Sequence, residues 1–318
     1  MSSVDRDVLL FYALAPSDFN PDQPNRTVSG FFRWFLLLVV ALRRRNYTVR
    51  VNDFVMAKQN PGNPIGIVGH PYILDCWSLP NPAVLGPCMY DHPTLNPALM
   101  EDHRFKYYIT TCEWLHDVFV PYYGEKCVLW HAGIDFEEWA DAKTYNKDID
   151  VLIYNKIRWN KEEMDRVILD PVVNTVKKNG LTYIILRYGS YSQDEYLRLL
   201  RRCRVMIFLC EHETQGMAYQ EALASNVPVL AWDPGFWNDP LYETLRSNPV
   251  PSTSVPHFSA ECGERFRRIG EFANIFRVFW NHRDRYKPRL FAQRELSLEK
   301  SADRYMNYYI AAGESENT

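Results

Sequence analysis

Short unbroken runs of apolar residues recur along the chain, and between several of them lie longer stretches whose apolar positions repeat every three to four residues. This alternation predicts an α/β fold built on buried, parallel strands. Residues 7–14 (DVLLFYAL) read as the first strand and lead into a polar, proline-rich loop over 15–29. A helix follows over 30–45, with Phe31, Trp34, Phe35, Leu38 and Leu42 on one face. Further strands are predicted at 47–51, 64–69, 83–90, 107–111 and 126–130, with a helix over 113–122. Beyond a polar stretch at 141–148 the pattern restarts, with strands at 151–154, 183–187, 205–210 and 227–230 alternating with helices at 169–179, 193–202 and 217–225. Helical spacing also marks 258–267, 272–281 and a terminal helix over 297–311, after which 313–318 read as disordered.

The chain has 318 residues, long for one core and comfortable for two domains. Its hydrophobic content of 47% and aromatic content of 14% support folding throughout. A net charge of −3 supplies no electrostatic argument for nucleic acid or an anionic membrane. Seven cysteines with no C-x-x-C spacing fit reduced, buried thiols better than a disulfide framework, so a cytoplasmic location is expected. The longest apolar run, from Trp34 to Leu42, is far shorter than the roughly 20 residues of a membrane span. Three arginines, Arg43, Arg44 and Arg45, close the first helix, where cations complement the helix dipole without any need for a nucleic-acid or lipid partner.

Candidate chemistry concentrates in residues 205–230. The run VMIFLC predicts a strand buried on both faces, Gly216 allows close backbone approach at a helix start, and Asn226 stands where a helix takes a left-handed closing residue. Glu213 lies in the loop at the strand's C-terminal end, and Glu221 follows eight residues later inside the helix. Ligands of open α/β sheets bind outside the carboxyl ends of the strands, and a helix N-terminus presents free N–H groups to a phosphate. The backbone N–H groups of Met217 and Ala218 are the expected donors.

The segment from Glu213 to Glu221, with Gly216 in fourth place, a small-residue helix and then Val227-Pro228-Val229, resembles the E-x(7)-E segment of retaining, nucleotide-sugar-dependent glycosyltransferases of the GT-B fold, family-4 type. That resemblance implies two Rossmann-like, doubly wound domains facing across a cleft, with the acceptor mainly on the first and the nucleotide-sugar mainly on the second. The expected divisions are an acceptor domain over 1–145, a nucleotide-sugar domain over 146–290, and a C-terminal helix over 291–318 that crosses back to the first domain. Ser29-Gly30 matches half of the family's Gly-Gly turn near the donor phosphates. Asp91-His92 resembles, in reversed order, the element whose histidine leans on the donor sugar. Residues 131–139 (HAGIDFEEW) resemble the N-G-V-D-x-x-x-F turn that closes the first domain, with His131 in place of Asn.

By the same resemblance, Glu213 holds hydroxyls of the transferred sugar and Glu221 the ribose hydroxyls. Lys156 and Lys161 match the cationic positions of the family's strand–Gly-Arg…Lys element, with Asn155 in place of Gly and Arg158 as an added candidate. Cations delivered to the mouth of a sheet suit a diphosphate leaving group, whose charge grows as the sugar bond breaks. Tyr188 or Tyr191 is expected to stack on the base. The catalytic set is therefore Glu213, Lys156, Lys161 and His92; Glu221, Gly216, Met217, Ala218, Arg158, Tyr188, Tyr191 and Gly30 bind the donor.

The implied activity is hexosyl transfer from a nucleotide-diphospho-sugar to a hydroxyl, independent of metal and with retention, the leaving phosphate serving as base. No cofactor is expected beyond the donor as co-substrate. The acceptor is left open among a glycan, a lipid-linked sugar, a small molecule and a hydroxymethylated DNA base. Asp148-Ile149-Asp150 matches the D-x-D pattern by which a different glycosyltransferase fold holds a divalent metal, but it leads straight into a buried strand with no companion carboxylate or histidine cluster, so no metal site is expected. Two other readings stay open: a phage-type DNA glucosyltransferase, which a basic groove would favour, and a non-catalytic GT-B relative that only binds a sugar nucleotide.

Overall fold

The computed structural model of the chain describes residues 7–13, 29–245 and 249–314. Apart from Ser29, the loop predicted over 15–29 lies outside the described residues, and so do residues 315–318. The chain divides into two compact units, one holding residues 29–133 and 296–314 together with the first strand, the other residues 134–295.

The first unit contains β1 (Asp7–Tyr12), α1 (Gly30–Arg44), β2 (Thr48–Val51), α2 (Phe54–Gln59), β3 (Ile65–Val68), β4 (Ala83–Leu85), β5 (Phe105–Thr110), α3 (Glu113–Tyr123) and β6 (Cys127–Leu129). Its six strands form one sheet in the order β2-β1-β3-β4-β5-β6, and every pairing is parallel. Ser29 begins α1 by accepting the Phe32 N–H at 3.1 Å, and Trp34, Phe35, Leu38 and Leu42 are buried as the spacing predicts. No helix among the described residues is long and apolar enough to cross a membrane.

In the second unit come β7 (Ile149–Asn155), α4 (Lys161–Met164), a π-helical stretch (Asp165–Leu169), α5 (Asp170–Lys178), β8 (Tyr183–Arg187), α6 (Gln193–Arg202), β9 (Cys203–Leu209), α7 (Met217–Ala224), β10 (Val229–Trp232), β11 (Gly263–Phe266), α8 (Ile269–His282) and α9 (Pro288–Glu295). The strand order is β11-β10-β9-β7-β8, again parallel throughout. Val151, Ile153, Val205, Ile207 and Leu230 pack in one apolar core with Val172 and Val176 of α5 and Phe272 and Phe276 of α8. In both sheets the chain winds outward on one side of the first strand and then returns to its other side, the doubly wound arrangement. The second unit therefore has its topological switch point between β7 and β9.

Several elements differ from the sequence expectation. Residues 258–267 are not a helix: Gly263–Phe266 form β11, the edge strand beside β10. Phe258, Cys262 and Phe266 recur every four residues and imitate a helical stripe, but Gly263 takes φ +144°, and its backbone lies so close to Val229 that a Cβ would meet the Val229 carbonyl oxygen at 2.0 Å. The helix expected from 169 begins instead at Lys161 and runs through the π-helical stretch. Pro171 lacks an N–H and its ring crowds the carbonyl four residues back, a misfit that a widened turn over 165–169 accommodates.

The units divide at 133/134 and 295/296 rather than at 145/146 and 290/291. Residues 139–144 are tied to the second unit, since Ala142 N–H donates to Ser225 O (2.9 Å), Asn226 Nδ2 donates to Asp141, and Arg289 reaches Trp139 O (2.7 Å). Residues 291–295 finish α9, and the returning helix α10 (Leu298–Glu314) includes Gly313 and Glu314, which were expected to be disordered. α10 belongs to the first unit, where Tyr309 Oη accepts the Leu9 N–H (2.9 Å) and donates to Pro64 O (2.6 Å).

Candidate functional site

The carboxyl ends of β7 and β9 are level with one another, Asn155 pairing with Leu209, and the Lys156 N–H extends the ladder by donating to Leu209 O at 2.8 Å. The loops after these two strands therefore leave the sheet side by side at the switch point, the place where open α/β sheets bind ligands. Asn155, buried at the strand end, turns the first loop by accepting the Ile157 N–H through Oδ1 (3.0 Å). Lys156 Nζ lies 2.5 Å from Glu213 Oε1, with the two side chains only 17% and 9% exposed. The Lys156 ammonium also sits 4.6 Å from the centroid of the Tyr188 ring, whose other surroundings leave it 53% exposed. Burial draws the Lys156 pKa down, but Glu213 more than offsets this and holds it above the ordinary lysine value, so the ammonium stays charged.

Behind that pair the Cys210 thiol donates to Glu213 Oε1 at 3.4 Å, and burial followed by the Glu213 charge keeps the thiol protonated by pushing its pKa well up. Glu213 N–H donates to Thr253 O at 3.0 Å, which fixes the loop against residues 250–254.

A second carboxylate, which the sequence analysis did not single out, completes the crevice. Glu211 is 2% exposed and accepts the backbone N–H of Arg158 at 3.0 Å and of Trp159 at 3.3 Å. Arg158 Nη2 in return donates to His212 O at 2.7 Å, and its Nε lies 3.9 Å from Glu211 Oε2. The Arg158 guanidinium stands 4.5 Å over the Trp159 ring, and Trp159 stacks on His212 at 5.4 Å. Arg158 was expected among the donor ligands; its Nη2 is engaged with the neighbouring loop. An available signal was a carboxylate directly following the predicted apolar run 205–210, since a buried carboxylate needs several hydrogen-bond donors.

On the other side of Glu213, Gly216 has φ +77° and ψ 52° at the N-cap of α7, and a Cβ there would fall 2.1 Å from Tyr219 Cε1. Only glycine fits this left-handed, crowded position. The N–H groups of Met217 and Ala218 begin the helix and have no acceptor among the described residues, the state a phosphate-binding helix start requires. Glu221, one turn on, is 5% exposed and lies within 3.4 Å of Gln193 Nε2. Tyr191 is close enough for the Glu221 charge to act on it; burial first, and that charge further, raise the Tyr191 pKa. Tyr191 and Tyr154 share a hydroxyl–hydroxyl hydrogen bond, while Tyr196 Oη donates to Ala218 O at 2.5 Å and steadies the first turn of α7. Asn226 closes α7 in the left-handed conformation expected of it.

Of the remaining predicted residues, Lys161 belongs to the second unit and His92 and Gly30 to the first. Lys161 is the exposed first residue of α4 and makes no hydrogen bond or ion pair with Lys156, Glu213 or Glu221 among the described residues. In the first unit, His92 is 8% exposed and caps a short 3-10 turn, its Nδ1 accepting the Thr94 N–H at 3.2 Å, which places the proton of the neutral ring on Nε2. Burial lowers its pKa. Gly30 begins α1 in open surroundings, with nothing within 4 Å of the place a Cβ would take. Asp148 and Asp150 flank the start of β7, the opposite end of the sheet, where Asp148 pairs with Arg202 at 2.6 Å and Asp150 with Arg204 at 3.2 Å. Among the described residues no group of His, Cys, Asp and Glu is arranged to hold a metal ion.

No protein-family model matches the sequence, and no curated protein matches it. Solved structures do match. The catalytic domain of starch synthase IV from Arabidopsis thaliana, bound to ADP and acarbose, is similar with a TM-score of 0.61 and 10% identity over 97% of this chain and 99% of that one. A glycosyltransferase from Rickettsia africae is similar with a TM-score of 0.59 and 11% identity over 98% and 99% of the two chains. TarM from S. aureus is similar with a TM-score of 0.54 and 12% identity over 77% of this chain, which spans only 54% of the length of TarM. At such identities the likeness is one of fold, and the fold is GT-B, with two Rossmann-like parallel-sheet domains.

Proposed function

We propose that this chain is a glycosyltransferase that moves a hexose from a nucleotide-diphospho-sugar to a hydroxyl acceptor, independently of metal and with retention at the anomeric carbon. The observation that carries the reading is the Lys156–Glu213 pair at the β7/β9 switch point, beside the open N–H groups that begin α7. In this reading the diphosphate lies on the Met217 and Ala218 N–H groups and draws the Lys156 ammonium, with Lys161 as a second cation from the first turn of α4. Glu213 takes hydroxyls of the transferred sugar, and Glu221 takes the ribose hydroxyls through charge-assisted hydrogen bonds. Tyr188 and Tyr191 border the place for the base. As the bond from the anomeric carbon to the phosphate oxygen breaks, charge grows on the leaving group where Lys156 is already fixed. The acceptor oxygen bonds to the anomeric carbon on the face the phosphate leaves, and the leaving phosphate takes the proton of that hydroxyl. ADP bound to starch synthase IV is in keeping with a nucleoside diphosphate in this fold.

A thermal-shift screen of nucleoside diphosphates and their sugars tests the reading first, because a ligand at 100 times its Kd adds about 2.7 kcal/mol of stability. Transfer is then measured with and without EDTA, and the anomeric configuration of the product is read by NMR. Absence of both binding and turnover across the panel would reject the assignment. Activity lost with chelator and restored by manganese would reject metal independence, and an inverted product would reject retention.

A further inference from the structure

The crevice holds four charges, Lys156 and Arg158 from the loop after β7 and Glu211 and Glu213 from the loop after β9, and the two pairs they form are built differently. Lys156 and Glu213 meet through single side-chain atoms, with an exposed tyrosine over the ammonium. Such a pair can be exchanged for a ligand. Glu211 and Arg158 instead bind each other's loops: the carboxylate accepts backbone N–H groups of Arg158 and Trp159, and the guanidinium donates to the carbonyl of His212. Each side chain thereby binds main-chain groups of the opposite loop: the Glu211 carboxylate takes two N–H groups, and the guanidinium shares the His212 carbonyl with the Cys210 thiol, which donates to it at 3.3 Å.

We propose that Glu211 and Arg158 are positioning residues, a brace that locks the two switch-point loops together and so holds Lys156 and Glu213 where donor and leaving group are handled. Arg158 then works through the protein and not on a phosphate. The burial of Glu211 supports this. A carboxylate 2% exposed needs hydrogen-bond donors around it, and the two backbone N–H groups with a guanidinium nearby supply them. A lock between loops that carry the site has a use: catalytic groups held in place need no reorganisation when charge develops. The proposal rests on the glycosyltransferase reading for its kinetic consequences, although the brace itself can be measured without any donor.

The test compares the wild type with Glu211→Gln, Glu211→Ala, Arg158→Ala and Arg158→Lys in three measurements. Amide hydrogen exchange at Arg158 and Trp159, without ligand, should speed up at least tenfold in Glu211→Ala and be largely rescued in Glu211→Gln, which keeps an acceptor oxygen. Steady-state kinetics should show kcat falling about tenfold or more in Glu211→Ala and Arg158→Ala while donor KM changes less than threefold. Nucleoside diphosphate affinity, by calorimetry, should stay within threefold for all variants. Unchanged exchange at the two amides in a folded Glu211→Ala protein would overturn the brace, as would unchanged kcat alongside faster exchange. If Glu211→Ala does not fold, Arg158→Ala, read at the Trp159 amide, carries the same measurements. Arg158→Ala weakening diphosphate binding tenfold, with the Trp159 amide still protected, would show Arg158 to be a phosphate ligand and overturn its assignment. A wild type that binds no nucleoside diphosphate would defeat the glycosyltransferase reading, while the exchange measurement would still decide the brace.

Discussion

Replacing Lys156 by methionine measures how far the Lys156–Glu213 pair behaves as one electrostatic unit. Methionine keeps much of the apolar stem, so the change is mainly the loss of the ammonium. Glu213 is then left with a carboxylate only 9% exposed, with the Cys210 thiol among its remaining partners. Removing one member of a fully buried pair costs about 3–5 kcal/mol. Lys156 retains 17% exposure, so water enters its place and we expect about 2–3 kcal/mol. Glu213→Gln alone leaves a cation that can turn to solvent and should cost less, and the double variant should be more stable than the sum of the singles implies by about 1–2 kcal/mol. Urea denaturation at pH 7, with the m-value checked for constancy, reads these differences. The pH dependence has a definite sign. Because the folded-state pKa of Lys156 lies above its unfolded value, the stability it contributes is fully present below about pH 10.4 and is lost as pH rises through the folded-state pKa. The difference between wild type and Lys156→Met should therefore be flat from neutral pH to about 10 and shrink above that. A variant within about 0.5 kcal/mol of wild type, or singles that add fully in the double, would refute the argument that this is a coupled, desolvated pair.

Three further outcomes follow from the same structure. Lys161→Ala, at an exposed helix start, should leave unfolding free energy within about 0.5 kcal/mol yet lower kcat by about 10², and normal kcat would remove Lys161 from the leaving-group assignment. Glu221→Ala should weaken nucleoside diphosphate binding by about 1.5–3 kcal/mol, read by calorimetry, and unchanged affinity would show that the ribose is held elsewhere. Tyr305→Phe should be neutral or stabilising in thermal unfolding, because the Tyr305 hydroxyl is fully buried with no hydrogen-bond partner among the described residues; a loss above about 1 kcal/mol would reveal a partner such as a buried water.

What could be read in the sequence was what local pattern controls. The unbroken apolar runs of β7 and β9 announce strands buried on both faces, and the Glu213-to-Asn226 stretch carries its own glycine start and left-handed stop, so strand, turn and helix came out with their ends close to the observed ones. Where the pattern was ambiguous, the tertiary environment decided. The four-residue spacing of Phe258, Cys262 and Phe266 fits a helix as well as an edge strand, and pairing with β10 selects the strand. The polar opening of α4 shows no apolar stripe, and its helix is legible only once α5 behind it is known.

The site shows the same limit more sharply. Glu211 and Glu213 stand two residues apart in one loop, and their immediate sequence does not say which will take the backbone N–H groups of the neighbouring loop and which the Lys156 ammonium. That is decided by the register that sets Asn155 opposite Leu209, because this pairing brings the N–H groups of Arg158 and Trp159 onto Glu211 and leaves Lys156 for Glu213. The contact spans 53 positions in the chain. A family motif can mark Glu213 because its spacing to Glu221 is local, whereas the role of Glu211 exists only after two distant strands have paired. Charged residues at a switch point therefore divide into those a motif can find and those that only sheet register assigns, and Glu211 belongs with the second kind.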